Sequence, residues 1–234
     1  MKRAFTLAEV LITLAIIGVV AAMTMPTLIK NHQKQVYATR LKKAVNVLEN
    51  MRTKLMADEE VTNFNDTKLI REGYNMDCVA LIGSSWDGPV APDPDVCGED
   101  GYANMSVVVP ELTKNFNVVK TCIESECKVL YQPAHINGGK YVVSGSPVEL
   151  RELDQIQPEE SLVGIYTADG FIFYFFMEAY PRDPYLRVYI DVNGEKGPNQ
   201  EGRDLFSYII SHNKSVLCGD FGSRMMTNGW KMDY

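Results

Sequence analysis

The stretch DVNGEKGPNQEGRD gathers Asp191, Asn193, Glu195, Asn199, Glu201 and Asp204 in one short connector. Carboxylate and amide oxygens at that density suit a hard cation, and calcium takes about six to eight of them. The spacing is not that of an EF-hand, because Lys196 stands where such a loop needs Gly. The plainer reading is a hairpin turn at Asn193-Gly194 with its acids in water. Two cysteine pairs offer a second chemistry. Cys122 and Cys127 flank IESE and could close a small loop as a disulfide, and Cys78 and Cys97 bracket a Pro- and Gly-rich stretch that a second disulfide would staple. With Cys218 the cysteines number 5, so at least one thiol is left to stay reduced or to pair between chains. No C-x-x-C occurs and the histidines number only 3, which speaks against zinc. The third group is a single residue, Glu9, a lone carboxylate near the front of a long apolar run.

No recognised catalytic arrangement accompanies these groups. The chain has no G-x-S-x-G, P-loop, H-E-x-x-H or dinucleotide-binding fingerprint, and the expectation is a protein that is not an enzyme. The net charge of −7 argues against nucleic acid as a partner. That charge is unevenly spread. Lys30 to Met56 carries seven basic residues against the single acid Glu49, whereas the rest of the chain from Ala57 has 14 basic and 28 acidic residues. A short basic rod therefore precedes an acidic body.

The elements that must position these groups follow from periodicity. Val10 to Ile29 holds no charge and, as a helix, covers about 30 Å, the thickness of a bilayer's hydrocarbon core. Beyond it Tyr37, Leu41, Ala44, Leu48, Met51 and Leu55 alternate four and three apart, which traces one face of a helix. One helix from Phe5 to about Met56 is expected, its first part crossing a membrane over 5–29 and its amphipathic continuation over 30–56 packing on a sheet. The remainder, 57–234, reads as a globular domain, irregular over 57–135 and an antiparallel sheet over about 140–218. MSVVVP and FNVVKTC are expected to be short strands. SLVGIYT and FIFYFFME form a hairpin turning at Asp169-Gly170, followed by YLRVYIDV and RDLFSYII.

Three readings of the N-terminal segment compete. Lys2 and Arg3 before an apolar run, with VAA ending at Ala22, fit a secretory signal peptide. The same run uncleaved would be a plain anchor. Either would leave a secreted or membrane-tethered periplasmic binding domain, or a periplasmic hydrolase, and in neither does Glu9 have work to do. The third reading gives it a role. KRAFTLAEV resembles the signal of type IV pilins and type II secretion pseudopilins. The resemblance implies cleavage by a prepilin peptidase between Ala4 and Phe5, after a leader of residues 1–4, and N-methylation of Phe5. The family prefers Gly before the cut, and this chain has Ala4. Glu9 then matches the acid that neutralises the N-terminal amine of a neighbouring subunit during assembly. Gly18 and Pro26 match the positions where the family's helix is kinked or unwound. The implied fold is α+β and pilin-like, a long N-terminal helix on a C-terminal antiparallel sheet. The implied partners are the peptidase, other pilin or pseudopilin subunits and an inner-membrane assembly platform. The implied location is the inner membrane, single-pass, with the body periplasmic or extracellular. Calcium in a C-terminal loop, as in major pseudopilins, would involve Asp191, Asn193, Glu195, Asn199 and Asp204; otherwise no cofactor is expected.

Overall fold

The computed structural model describes residues 6–74, 103–150, 162–178, 184–212 and 214–232. Helix α1 spans Leu7–Asp58, 52 residues, or about 78 Å at the usual rise. It starts at a capping box. The Thr6 hydroxyl accepts from the Glu9 backbone N–H (3.3 Å), while the Glu9 carboxylate accepts from the Thr6 N–H (2.9 Å) and its hydroxyl (2.8 Å). The helix runs through Gly18 and Pro26 without interruption. Of the three threonine hydroxyls in its apolar span, two are satisfied locally: Thr13 donates to the Val10 carbonyl and Thr24 to the Val20 carbonyl, each at 2.9 Å. In lipid such internal bonds are required, because no water is there to replace them.

A 3-10 turn at Phe64–Asp66 and the short α2 (Lys68–Arg71) follow. Met105–Thr113, which contains the MSVVVP expected to be a strand, is instead helix α3. Three valines favour a strand only as a local preference. Val108 and Leu112, four apart, are both fully buried, and that spacing places them on one helical face. Lys68 of α2 reaches Glu111 of α3 at 3.6 Å and fixes the pair of helices.

The main sheet has six strands: β1 (Val118–Ile123), β6 (Leu162–Thr167), β7 (Ile172–Glu178), β8 (Tyr185–Asp191), β9 (Leu205–Ile210) and β10 (Ser215–Leu217). They lie in the order β1-β6-β7-β8-β9-β10, every neighbour antiparallel. The sheet thus takes in Val118–Ile123, upstream of the residue-140 start expected from sequence. Two small ribbons stand apart from it: β2 (Leu130–Tyr131) with β5 (Val148–Glu149), and β3 (Ala134–Asn137) with β4 (Lys140–Val143). Helix α4 (Gly219–Thr227) follows β10.

Both faces of the sheet are covered, which explains why FIFYFFME lacks the polar alternation of a half-exposed strand. Phe173, Phe175 and Met177 of β7 join the core that includes Leu41, Ala44, Leu48, Met51 and Leu55 of α1. Ile172, Tyr174 and Phe176, on the other face, pack with Cys122, Cys127, Tyr131 and Leu150. Cys122 and Cys127 are joined as a disulfide on this second face. A Cβ at Gly164 would collide with the Cys122 sulfur, so glycine is what lets the bond lie against β6.

Candidate functional site: the uncovered half of the long helix and the connector that holds the other half

The six positions of the amphipathic stripe behave as their spacing demands on one side only. Leu41, Ala44, Leu48, Met51 and Leu55 are buried against the sheet, and Tyr37 packs half-buried at the end of the row. Toward the N-terminus the body ends and the helix continues alone. From Leu7 to Ile29 almost every side chain is exposed, including Leu7, Leu11, Ile12, Leu14, Ile16, Ile17, Val19, Val20 and Leu28. This part of α1 is long and apolar enough to cross a membrane, and none of it is covered by the body. An apolar surface of this extent on all sides of a helix does not persist in water. It calls for lipid or for other apolar helices.

Glu9 lies on the exposed part, bonded to Thr6 within the capping box. Thr6 was not singled out by sequence reasoning. The signal was present, since TLAE has the Thr-x-x-Glu form of that box. Ala4 and Phe5, the expected cleavage and methylation residues, lie outside the described residues, as do Cys78 and Cys97.

The other half of the helix is held by polar contacts as well as by its stripe. Arg40 donates through Nε to the Val192 carbonyl and through a terminal nitrogen to the carbonyls of Asp169 (3.1 Å) and Gly170 (3.0 Å). Its guanidinium lies 4.7 Å from the centre of the Phe171 ring. Lys43 pairs with Asp169 at 3.2 Å. Further along, Tyr208 donates to Glu49, and Arg52 donates to the His212 carbonyl at 3.2 Å. Arg40 thereby bridges the β6–β7 turn and the β8–β9 connector, a role its place in the basic rod did not reveal.

The connector is ordered by two acids that water does not reach. Asp191 and Asp204 are 1% and 0% exposed, so the expectation of solvated acids fails for these two and holds for Glu195. Asn193-Gly194 does turn the chain, but not as a tight hairpin, because β8 and β9 are joined by the longer connector of residues 192–204. Asp191 Oδ1 accepts the N–H groups of Asn193 (3.0 Å) and Gly194 (2.9 Å), and Gly194 takes a left-handed φ of 70°. Asp204 accepts from Gln200 N–H (2.7 Å), Asn199 N–H (3.0 Å) and the Asn193 side-chain amide (3.1 Å). Gln132, Tyr131 and Tyr141 tie the small ribbons to the same connector through Gln200 and Glu201. Of the five residues weighed for calcium, the fold brings Asp191, Asn193, Asn199 and Asp204 into one hydrogen-bonded connector, while Glu195 is exposed. Among the described residues no group of three or more His, Cys, Asp or Glu side chains is placed to hold a metal ion.

Burial pushes the Asp191 carboxyl up to about 8, helped by Asp204 and opposed by the two N–H groups it accepts and by Arg40. Burial also raises Asp204, against its own N–H donors. A carboxyl raised in the folded state binds protons that the unfolded chain has released. Its contribution to stability is therefore complete below about pH 4 and is lost as pH rises to about 8. Asp191→Asn keeps an oxygen for both N–H groups and removes the titration. Its stability relative to wild type is expected to improve by roughly 2–5 kcal/mol between pH 4 and 8.5, measured by denaturant unfolding in detergent. Parallel profiles for the two proteins would show that Asp191 does not titrate in this window.

The model of the prokaryotic N-terminal methylation motif matches residues 1–25, so the chain carries the prepilin-type signature. No curated protein and no solved structure matches the chain. Signature and architecture agree. A long apolar N-terminal helix packed on a C-terminal antiparallel sheet is a pilin-like layout, and it begins with the prepilin-type methylation signature.

Proposed function

We infer that this protein is a non-catalytic filament subunit, a pilin or pseudopilin, cut by prepilin peptidase and assembled through its N-terminal helix for type II secretion or a type IV pilus. The observation that carries this reading is the division of α1. One continuous helix commits its second half to its own sheet and leaves its first half uncovered. A subunit that waits in a bilayer and then packs its helix among others needs that division. The residues assigned to the work are Ala4 and Phe5 at the cut, Phe5 as the methylated amine, Glu9 as the partner of a neighbour's amine, and Gly18 and Pro26 as the weak points of the helix. The partners are the peptidase, further subunits and an inner-membrane platform, with the body on the periplasmic side.

The deciding experiment isolates the protein from membranes with and without a prepilin peptidase and reads its N-terminus by mass spectrometry. N-methylated Phe5 that appears only with the peptidase is the expected result. A chain beginning at Met23 in both cases would instead mean a signal peptide and a released binding domain, and one beginning at Met1 a plain anchor.

Calcium is not needed in this reading. The carboxylate oxygens of Asp191 and Asp204 already accept N–H donors. The melting temperature is expected to be the same in excess calcium and in chelator. A rise with calcium would place a cation in the connector and add about 2.7 kcal/mol at a hundredfold excess over the dissociation constant.

A further inference from the structure

Asn-Gly occurs at three places in the chain: Asn137-Gly138, Asn193-Gly194 and Asn228-Gly229. In this dipeptide the asparagine side chain is open to attack by the next backbone nitrogen, because glycine has no Cβ to hinder the approach. Attack needs that N–H to be free and the side chain to be able to turn toward it. The fold treats the three pairs differently.

Asn193-Gly194 is locked. The Gly194 N–H donates to Asp191 Oδ1 at 2.9 Å, and the Asn193 side-chain amide donates to Asp204 at 3.1 Å. Both acids are buried, so water does not compete for these bonds. Asn228-Gly229 is bracketed. The Asn228 N–H donates to the Arg224 carbonyl at 2.8 Å and the Trp230 N–H to the Met225 carbonyl at 2.9 Å, which fixes the backbone on both sides of the pair. Asn137-Gly138 is open. It stands at the tip of the β3–β4 ribbon, where Gly138 and Gly139 take left-handed φ values of 54° and 78° between the paired residues Asn137 and Lys140. Asn137 and Gly138 are exposed, and neither the Asn137 side chain nor the Gly138 N–H has a hydrogen-bond partner among the described residues. The space around Gly138 is empty too, since a Cβ there would meet nothing within 4 Å.

We propose that Asn137 is a site of spontaneous covalent modification, an amide-to-acid conversion through a succinimide at the tip of the β3–β4 ribbon. The Gly138 nitrogen bonds to Asn137 Cγ, the Cγ–Nδ2 bond breaks, and the amide nitrogen leaves as ammonia with the Gly138 proton. Water then opens the ring at either carbonyl and gives aspartate or isoaspartate. Either product puts a negative charge where the chain had a neutral amide, and isoaspartate adds one carbon to the backbone between β3 and β4. The change falls next to Ile136, whose N–H donates to Asp220 of α4 at 3.3 Å, so a new carboxylate arises beside the contact that ties the ribbon to α4. The proposal stands on the ribbon and the connector, and it does not depend on the filament reading.

The test incubates the full chain at neutral pH, folded in detergent and unfolded in denaturant, and follows the three pairs by peptide mass spectrometry, with fragmentation to separate isoaspartate from aspartate. In denaturant the three should convert at similar rates. In the folded chain Asn137 is expected to keep nearly that rate, while Asn193 slows by about tenfold or more, the cost of breaking two hydrogen bonds before attack. Asn228 should fall between them. Asn137→Gln keeps an amide but is one carbon too long for the five-membered ring, and should abolish conversion of the ribbon peptide. Folding that slows Asn137 as much as Asn193, conversion of Asn193 or Asn228 ahead of Asn137 in the folded chain, or a ribbon peptide that still converts in Asn137→Gln would each overturn the proposal.

Discussion

A Glu9→Leu chain is expected to be cut between Ala4 and Phe5 as wild type is, and yet to be absent from sheared filaments. Two effects of the substitution must be separated. The first is local: the capping box with Thr6 is lost, which costs a helix about 1 kcal/mol. The second belongs to the proposed assembly, in which cleavage would make Phe5 an amine that enters an apolar bundle. An uncompensated buried charge costs several kcal/mol even after relaxation. Both Thr6 contacts fall on Glu9 Oε2, and Oε1 accepts no hydrogen bond among the described residues. One carboxylate can thus hold its own cap and a neighbour's ammonium together. Thr6→Ala separates the two effects, since it removes the cap hydroxyl and keeps the acid. It should assemble nearly as wild type does. Normal incorporation of Glu9→Leu would dispose of the pairing, and equal failure of Thr6→Ala would move the cause to the cap.

The parts of this architecture legible in sequence are those where one physical demand acts alone. The row Leu41, Ala44, Leu48, Met51 and Leu55 had only to meet a sheet, and its 3.6-residue period shows it. FIFYFFME and YLRVYIDV are long and aromatic, and the hairpin turn at Asp169-Gly170 has the sequence its left-handed Gly170 requires. MSVVVP misled because three adjacent valines carry strand preference, while the burial of Val108 and Leu112 against α2 decides for helix. The acids of the connector misled for a related reason. Asp191 and Asp204 look like solvated loop residues until their N–H donors, contributed from within two to five positions, are seen to replace water. Arg40 was counted as one charge among seven, because a side chain's partners more than a hundred residues away leave no local trace. Glu9 stands out in sequence because a carboxylate in an apolar run is costly without a purpose, and its cap partner Thr6 could have been read beside it.

The division of α1 makes the last prediction, with one substitution tried at two places on the same helix. Leu48 is 0% exposed and Leu14 is 60% exposed. Leu48→Ala removes methyl groups from a closed core and leaves a cavity, at about 3 kcal/mol. For a body of this size that lowers the melting temperature by about 6–12 °C. Leu14→Ala removes the same atoms from a surface the body never covers, so the body's melting temperature should move by less than about 1 °C. Its cost should appear where that surface is finally buried, as a lower yield of filaments from a chain that is cut and inserted normally. Thermal unfolding of the full chain in detergent and filament yield from cells supply the two readings. A fall in melting temperature for Leu14→Ala comparable to that for Leu48→Ala would mean that the body does cover the first half of the helix. The helix would then be a core element throughout, with no surface left for lipid or for neighbouring subunits.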